Sequence, residues 1–337
     1  MSKHQSIPFS MLREMLEGAR HHQFNCNDIL YSVGIDTQTL ATAEDRLSLT
    51  KCAQLLRQLW LKMEDECAGA LSRPAPNGTF AVMTYAALSA DTLREALQRA
   101  IQSLRLIIGD ELLLSLQEQG PEAKLSVSYK NPHQLSNSFF ILSWFVILLR
   151  FSSWLTNRPV LLEQVIFEFP PPQYAREMTL MFPCIIYFDK EENCALFNRN
   201  ILDAKLVRDN SDLRKFLKQA PENLLTQFRG DSSLAGQIAL LLQQTEQGWP
   251  TFDKIAQQLN STTYTLRRRL KKEGTSFQQL KDSAHKNIAQ HHLLHTDMPI
   301  AEIAGQVGYS EAAAFNHAFR NWTGMTPGKY RKQFKRA

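Results

Sequence analysis

The sequence predicts a two-part fold: an α+β N-terminal domain, then an all-α domain in which two helix-turn-helix motifs are joined by a long helix. Three observations predict it. First, the stretches FDKIAQQLNSTTYTLRRRLKKEG (Phe252–Gly274) and IAEIAGQVGYSEAAAFNHAFRNWTG (Ile300–Gly324) share one pattern: an Ile-Ala pair, an apolar residue three positions on, a short polar turn, and a helix with apolar residues four apart. Second, charge is divided. Of 38 Lys and Arg and 33 Asp and Glu in 337 residues, 14 and 6 fall in 251–337, a balance of +8, whereas the preceding residues carry 24 against 27. The C-terminal part alone is therefore suited to a polyanion. Third, before residue 208 stretches with helical three-and-four spacing are interspersed with short segments of period two, the mark of strands.

In chain order, residues 6–70 read as mainly helical. In KCAQLLRQLWLKM (Lys51–Met63), Cys52, Leu55, Leu56, Leu59 and Met63 share one helix face. The run Arg73-Pro74-Ala75-Pro76-Asn77-Gly78 is a turn-rich break. TLREALQRAIQSLRLI (Thr92–Ile107) reads as an amphipathic helix whose Thr92 and Glu95 match a capping box, with Ser89 a rival cap. Leu112–Gln117, Lys124–Lys130 and Val160–Phe169 read as strands. Between them Phe139–Leu155 reads as a long helix. Its most apolar run, FFILSWFVILL, has eleven residues. At roughly 16 Å of helix it reaches about half of a bilayer's hydrocarbon core, so a buried helix is expected and not a membrane span. Pro170-Pro171-Pro172 ends the third strand, since proline lacks the N–H a ladder needs. Cys184–Phe188 and Ala195–Phe197 are expected to pair around the polar turn Asp189–Asn193.

The chain turns helical again from Ser211, and Gly248-Trp249-Pro250 breaks it before the first motif. The expected division is a first domain over 1–208, a linker over 209–232 and a second domain over 233–337, with Leu234–Gln244 as the leading helix of the latter. In the first motif Ile255, Ala256 and Leu259 face the core, and Ala256 is small because the second helix crosses close to it. Asn260-Ser261 turns, and Thr262–Glu273 is the recognition helix, anchored by Leu266 and Leu270. Thr262, Thr263, Tyr264, Arg267 and Arg268 lie toward its N-terminal half, where such helices meet base edges. Arginine can hold guanine O6 and N7 with two hydrogen bonds. Arg269, Lys271 and Lys272 are assigned to phosphates, which set register without reading sequence.

In the second motif Ile300–Val307 supports and Gly308-Tyr309-Ser310 turns, Gly308 supplying a left-handed conformation. Glu311–Trp322 is the second recognition helix, anchored by Phe315 and Phe319. Ala312, Ala313, Asn316 and His317 face outward, and Ser310 and Arg320 are assigned to phosphates. Asn316 suits adenine, whereas alanines can only touch thymine methyls or leave room for phosphate contact, so this helix is expected to specify less than the first. The spacer Ser276–His295 carries Phe277, Leu280, Ala284, Ile288 and Leu294 at roughly helical spacing. A twenty-residue helix is about 30 Å long, close to the ~34 Å between successive major-groove faces. Two such motifs can therefore address neighbouring turns of one DNA face.

These residues resemble the AraC/XylS family of bacterial transcription regulators. The closing stretch IAEIAGQVGYSEAAAFNHAFRNWTGMTPGKYR (Ile300–Arg331) carries the signature: Ile-Ala, Val-Gly-Tyr, Phe-x-x-x-Phe, Gly-x-x-Pro and Tyr-Arg. The N-terminal part resembles the α+β effector domain of a subgroup through Gly34-Ile35-Asp36, the helix start at Thr92–Ala96 and the Pro170–Tyr174 corner. Two departures exist, His317 where arginine is common and Ala312–Ala314 in place of a more polar run. The resemblance implies a bacterial, cytoplasmic, homodimeric regulator that binds double-stranded promoter DNA, answers to a small-molecule effector in its N-terminal domain and works on RNA polymerase, by activation or repression. It implies amino acids, fatty acids or other small metabolites as effectors. Apolar Phe80, Met83, Phe139, Phe140 and Trp144 point toward a hydrophobic carboxylate, and a structural core explains the same residues.

Other chemistry finds little support. Five scattered cysteines without C-x-x-C fit reduced thiols. His291, His292 and His295 lack a carboxylate or cysteine to complete a metal site. No protease, hydrolase or phosphate-loop motif occurs, and no cofactor is expected. Two other readings stand beside the regulator: an enzyme domain fused to a DNA-targeting module, which requires a reactive cysteine, and a ligand-independent architectural binder.

Overall fold

The computed structural model describes residues 6–129, 137–182, 184–226, 234–243 and 249–334. The chain divides into two compact units, one formed by residues 1–181 and 186–229 and the other by 182–185 and 230–337. The first holds β1 (Ser6–Pro8), α1 (Phe9–Met15), α2 (Glu17–His21), α3 (Asn27–Ser32), α4 (Thr37–Thr42), β2 (Arg46–Ser48), α5 (Leu49–Met63), α6 (Thr79–Leu88), α7 (Leu93–Ile108), β3 (Leu112–Gln119), β4 (Glu122–Tyr129), α8 (Ser138–Thr156), β5 (Leu162–Ile166), α9 (Ala175–Met181), β6 (Ile185–Tyr187), β7 (Cys194–Asn198), α10 (Asn210–Gln219) and α11 (Glu222–Thr226). The second holds α12 (Leu234–Gln243), α13 (Phe252–Gln258), α14 (Thr263–Lys272), α15 (Phe277–His295), α16 (Ile300–Gln306), α17 (Ala312–Thr323) and α18 (Pro327–Phe334). The expected succession of α+β and all-α domains is what the chain forms.

A five-stranded sheet ordered β3-β4-β7-β5-β6 organises the first unit. β3 and β4 form a hairpin over its full length, Leu112 opposite Tyr129 and Gln119 opposite Glu122. Along β4 the period-two pattern buries Ala123, Leu125 and Val127, and α8 packs against this strand and against α1, α7 and α11. α8 is the apolar run read from the sequence. Asn137 caps it by accepting from the Phe140 N–H, and Phe145, Leu148, Phe151 and Leu155 are fully buried along it. Each large side chain of this kind contributes about 1.5–3 kcal/mol through burial, which explains an apolar helix of this length without a membrane.

Other expectations are met with small adjustments. α5 buries Cys52, Leu55, Leu56 and Leu59, with Met63 half-buried. Thr92 caps α7 by accepting from the Glu95 N–H, but the Glu95 carboxylate reaches the Asp91 N–H instead of that of Thr92. Ser89 donates to Ala86 O at the end of α6 and is no cap of α7. Pairing across 189–193 differs from the expectation. β7 pairs with β4 on one side and β5 on the other, so β5 stands between it and β6. Both edges of β7 are filled, and a hairpin with β6 has no edge to use.

The linker expected over 209–232 is structured where it is described. Asp209 caps α10 with a reciprocal capping box. Leu213 and Phe216 are buried, and the Phe216 ring meets Trp154 at 4.5 Å. Arg57 donates twice to Ala220 O, at 3.0 and 2.8 Å, and Arg150 donates to Leu224 O at 2.9 Å. These contacts make 209–226 part of the first unit; residues 227–232 lie outside the described ones. The apolar set considered for an effector is divided. Phe80 meets Phe151 and Phe216, whereas Phe140 stacks on Tyr129 and meets Trp144. All five cysteines are buried and none is in a disulfide, and burial pushes the Cys52 and Cys194 thiols up to about 12, opposite to the shift a reactive thiolate needs.

Candidate nucleic-acid interface

In the second unit the two motifs are built alike. α13 begins at the cap Thr251, which accepts from the Lys254 N–H, and presents buried Ile255 and Ala256 to α14. Leu259 is half-buried. Asn260 then takes φ 47°, a left-handed turn that asparagine tolerates, and Thr262 caps α14 by accepting from the Thr265 N–H. In the second motif Ile303, Ala304 and Val307 are buried, Gly308 takes φ 78°, and Phe315 and Phe319 anchor α17. Between the core residues Leu259 and Leu266 lie six positions, and between Val307 and Phe315 seven, so the second turn is one residue longer.

Helix geometry sorts the candidate contacts. With Leu266 and Leu270 fixing the buried side, a rotation of roughly 100° per residue puts Tyr264, Arg268, Lys271 and Lys272 on the ridge farthest from the core. Tyr264 is 73% exposed. Arg267 and Arg269 lie on opposite flanks, both exposed. Thr263 is half-buried, and the Thr262 hydroxyl is occupied with the Thr265 N–H and hydroxyl as a cap. α14 thus carries five cations and no carboxylate.

The same construction on α17 gives a ridge of Ala313, His317, Arg320 and Asn321. His317 and Arg320 are exposed, as is Ser310 in the turn, whereas Ala312 and Asn316 are half-buried on a flank. The Asn321 amide lies 3.3 Å from His317 Nδ1. Arg320 is the only Lys or Arg on α17.

Several residues of this surface were not singled out from sequence. Phe252, the first residue of α13, stacks on Phe277 at 4.5 Å, and the Arg267 guanidinium lies 5.6 Å from its centroid. Trp249, read as part of a helix break, donates its indole N–H to Gln306 O at 3.1 Å. A Cβ on Gly308 would stand 2.8 Å from its ring. Glycine there meets two demands at once, a positive φ and a ring packed on its Cα. Glu273, at the end of α14, accepts from the Leu234 and Ala235 N–H groups at 2.9 and 2.8 Å, fastening the start of α12. His285 is buried beside Trp249, Tyr309 and Trp322, and burial lowers its pKa to about 4.

The spacer α15 differs from its expected single face. Leu280 and Ala284 are buried as read, Phe277 and Ile288 are half-buried, and Leu294 lies outside the described side chains. Ala289 and Leu293 join Ile303, Ala304, Val307, Phe315 and Phe319 in one core cluster. α15 packs against α12 on one side and α16, α17 and α18 on another, so its core positions occupy more than one stripe. Nineteen residues give about 28 Å of helix. Among the described residues no His, Cys, Asp and Glu group is arranged to hold a metal.

Comparison with known proteins agrees with this architecture. A family model described as the N-terminal arabinose-binding domain of AraC transcription regulators matches residues 24–206, and a helix-turn-helix domain model matches 255–333. The ornithine utilization regulator of Pseudomonas aeruginosa is 27% identical over 251 residues, 74% of each chain. The HTH-type transcriptional regulator VqsM of the same organism is 38% identical over 101 residues, which span 30% of this chain and 31% of that one. The crystal structure of the transcriptional regulator CdpR from Pseudomonas aeruginosa aligns over 96% of this chain and 98% of its own, at 18% identity and a TM-score of 0.31. An α+β unit matching the arabinose-binding model, followed by two helix-turn-helix motifs on one helical scaffold, makes this chain a member of the AraC family of transcription regulators, with an N-terminal effector-binding domain and a C-terminal DNA-binding domain.

Proposed function

We propose that the chain is a cytoplasmic, nucleoid-bound homodimer that reads promoter DNA through both recognition helices and changes its occupancy, or its contact with RNA polymerase, when a small metabolite binds the N-terminal unit. Tyr264, Arg267 and Arg268 are the base-reading residues of the first motif, and Arg269, Lys271 and Lys272 its phosphate contacts. In the second motif Asn316 and His317 reach bases, Ala312 and Ala313 allow close approach, and Ser310 and Arg320 hold phosphates. The carrying observation is the outer ridge of α14, where an exposed tyrosine and three cations stand with no carboxylate on the helix. Between the two effector classes, the similarity to a regulator named for ornithine utilization supports an amino acid over a hydrophobic carboxylate.

The experiment is footprinting of the full-length chain across genomic fragments, with and without ornithine and other amino acids and with a medium-chain fatty acid as the alternative. The expected result is protection of two adjacent major-groove faces on one side of the duplex for each subunit bound, altered by one ligand class. Equal binding to genomic and scrambled duplex sinks the DNA reading, and occupancy unchanged by every ligand sinks the effector reading.

A further inference from the structure

Arg267 differs from its neighbours Arg268 and Arg269 in what its guanidinium touches. Its Cζ lies 5.6 Å from the centroid of Phe252, within the range where a cation is drawn to a ring face. Phe252 is itself fixed, because its ring stacks on Phe277 at 4.5 Å and 24°. Phe252 opens α13, Phe277 opens α15 and Arg267 lies on α14. Three helices thus contribute one layer each to a Phe277–Phe252–Arg267 stack. The attraction of a cation to a ring supplies no lone-pair acceptor to the guanidinium. Its five N–H donors form a planar fork, and no carboxylate pairs with them among the described residues. An arginine held beside a fixed ring, with no carboxylate on its donors, can grip two acceptors side by side, which is what guanine O6 and N7 present in the major groove.

The second motif has no counterpart. Ile300 stands where α13 has Phe252, and Asn316 where α14 has Arg267. An aliphatic chain and an amide do not make this stack.

We propose that Phe252, seated on Phe277, is a positioning residue that holds Arg267 for readout of one G·C pair, and that Arg267 is the chief sequence-discriminating side chain of the first motif. The inference rests on α14 entering the major groove, and its test separates the two ideas. The preferred duplex is selected from a randomised library with the full-length chain. Affinities for it, for each of its single base-pair substitutions and for random duplex are then measured for the wild type, Arg267→Ala, Phe252→Leu, Phe252→Tyr and Phe252→Leu combined with Arg267→Ala.

Arg267→Ala is expected to lower affinity for the selected site roughly ten- to a hundredfold and to erase preference at one G·C pair. Phe252→Leu should reduce preference at that same pair by roughly fivefold, leave random-duplex affinity and its salt slope unchanged, and cause no further loss in the double variant. Phe252→Tyr, which keeps a ring face, should restore wild-type preference. Should Phe252→Leu and Arg267→Ala instead lower the melting temperature and weaken every duplex alike, the stack is only a staple between helices and the positioning claim is wrong. A loss of preference in Arg267→Ala without any in Phe252→Leu overturns the role of Phe252. A wild-type chain with no preferred duplex overturns the groove reading beneath both.

Discussion

The two recognition helices share one scaffold and differ in what they present. Both follow a supporting helix that ends in a left-handed residue, Asn260 or Gly308, and both are anchored by fully buried apolar residues four apart. α14 then presents tyrosine and five cations, and α17 presents two alanines, a histidine paired with asparagine, and one arginine. Counterion release makes each neutralised phosphate a sequence-independent gain in affinity, and base readout needs donors aimed at base edges. On both counts the first motif should carry more of the binding, with the second adding site length and register. The same fold can thus be present twice while binding energy is concentrated in one copy.

The comparison is broken most directly by removing an anchor from each motif in turn. Leu270→Ala and Phe319→Ala each empty a fully buried site, at a cost of about 2–5 kcal/mol for leucine and 3–5 kcal/mol for phenylalanine, a large share of a typical domain's stability. The melting temperature should fall in both. The DNA consequences should differ. Leu270→Ala should weaken binding to every duplex and remove several units of the salt slope. Phe319→Ala should shorten the footprint to the part covered by the first motif and lower the slope by ~1, since Arg320 is the cation it displaces. An equal loss of affinity in the two variants would show that the motifs contribute alike.

How much of this was legible in sequence depends on the range of the interaction. The motifs were readable because their determinants are local: Ile255-Ala256 and Ile303-Ala304 for close helix approach, Leu266 with Leu270 and Phe315 with Phe319 for anchoring. The α5 face and the alternation that marked Leu112–Gln117 and Lys124–Lys130 as strands are also local. What was missed is set by partners distant in sequence. β5 enters between β7 and β6 because the sheet, and not the turn at 189–193, decides which edges meet. α15 buries core positions toward α12 and toward α16–α18, so its pattern fits no single stripe. Leu213 and Phe216 did carry a local signal, at i and i+3, yet only Trp154 and Arg57 across the unit make 209–226 structure and not linker. At the candidate interface the residue types were readable, but the division of Arg267, Arg268 and Arg269 among flank, ridge and flank follows from the helix axis, and the Phe252 stack from tertiary packing.

Smaller effects sharpen the contrast. Arg268→Ala, on the outer ridge of α14, should cost less than Arg267→Ala, toward the lower end of about 1–3 kcal/mol on the preferred site, and relax one base pair. His317→Ala, at the matching ridge position of α17, should cost about 0.5–1.5 kcal/mol, the net value of one hydrogen bond. Lys271→Ala and Lys272→Ala should each lower the salt slope by about one while weakening preferred and random duplex equally. A loss in His317→Ala that matches that in Arg268→Ala would mean the second helix reads bases as strongly as the first, contrary to its composition.

The finest distinction between the motifs is acid sensitivity. The second one is locked from its turn side by Trp249, whose ring lies on Gly308 and 3.9 Å from that of His285. Tyr309 and Trp322 close the remaining sides of the imidazole, and Lys281, one turn earlier on α15, adds repulsion to a proton already disfavoured by burial. The folded-state pKa is about 4 against an ordinary 6.5. Between these values the unfolded chain binds a proton that the folded chain refuses. Stability is therefore complete above pH 6.5, declines as pH falls toward 4 and levels off below it. His285→Phe keeps a ring in the same aromatic surroundings and removes the titration. Its melting temperature should match that of the wild type at pH 7.5 and exceed it at pH 5, and wild-type footprints at pH 5 should recede first over the second motif's half of the site. Parallel acid losses in both chains would move the origin of the sensitivity away from His285.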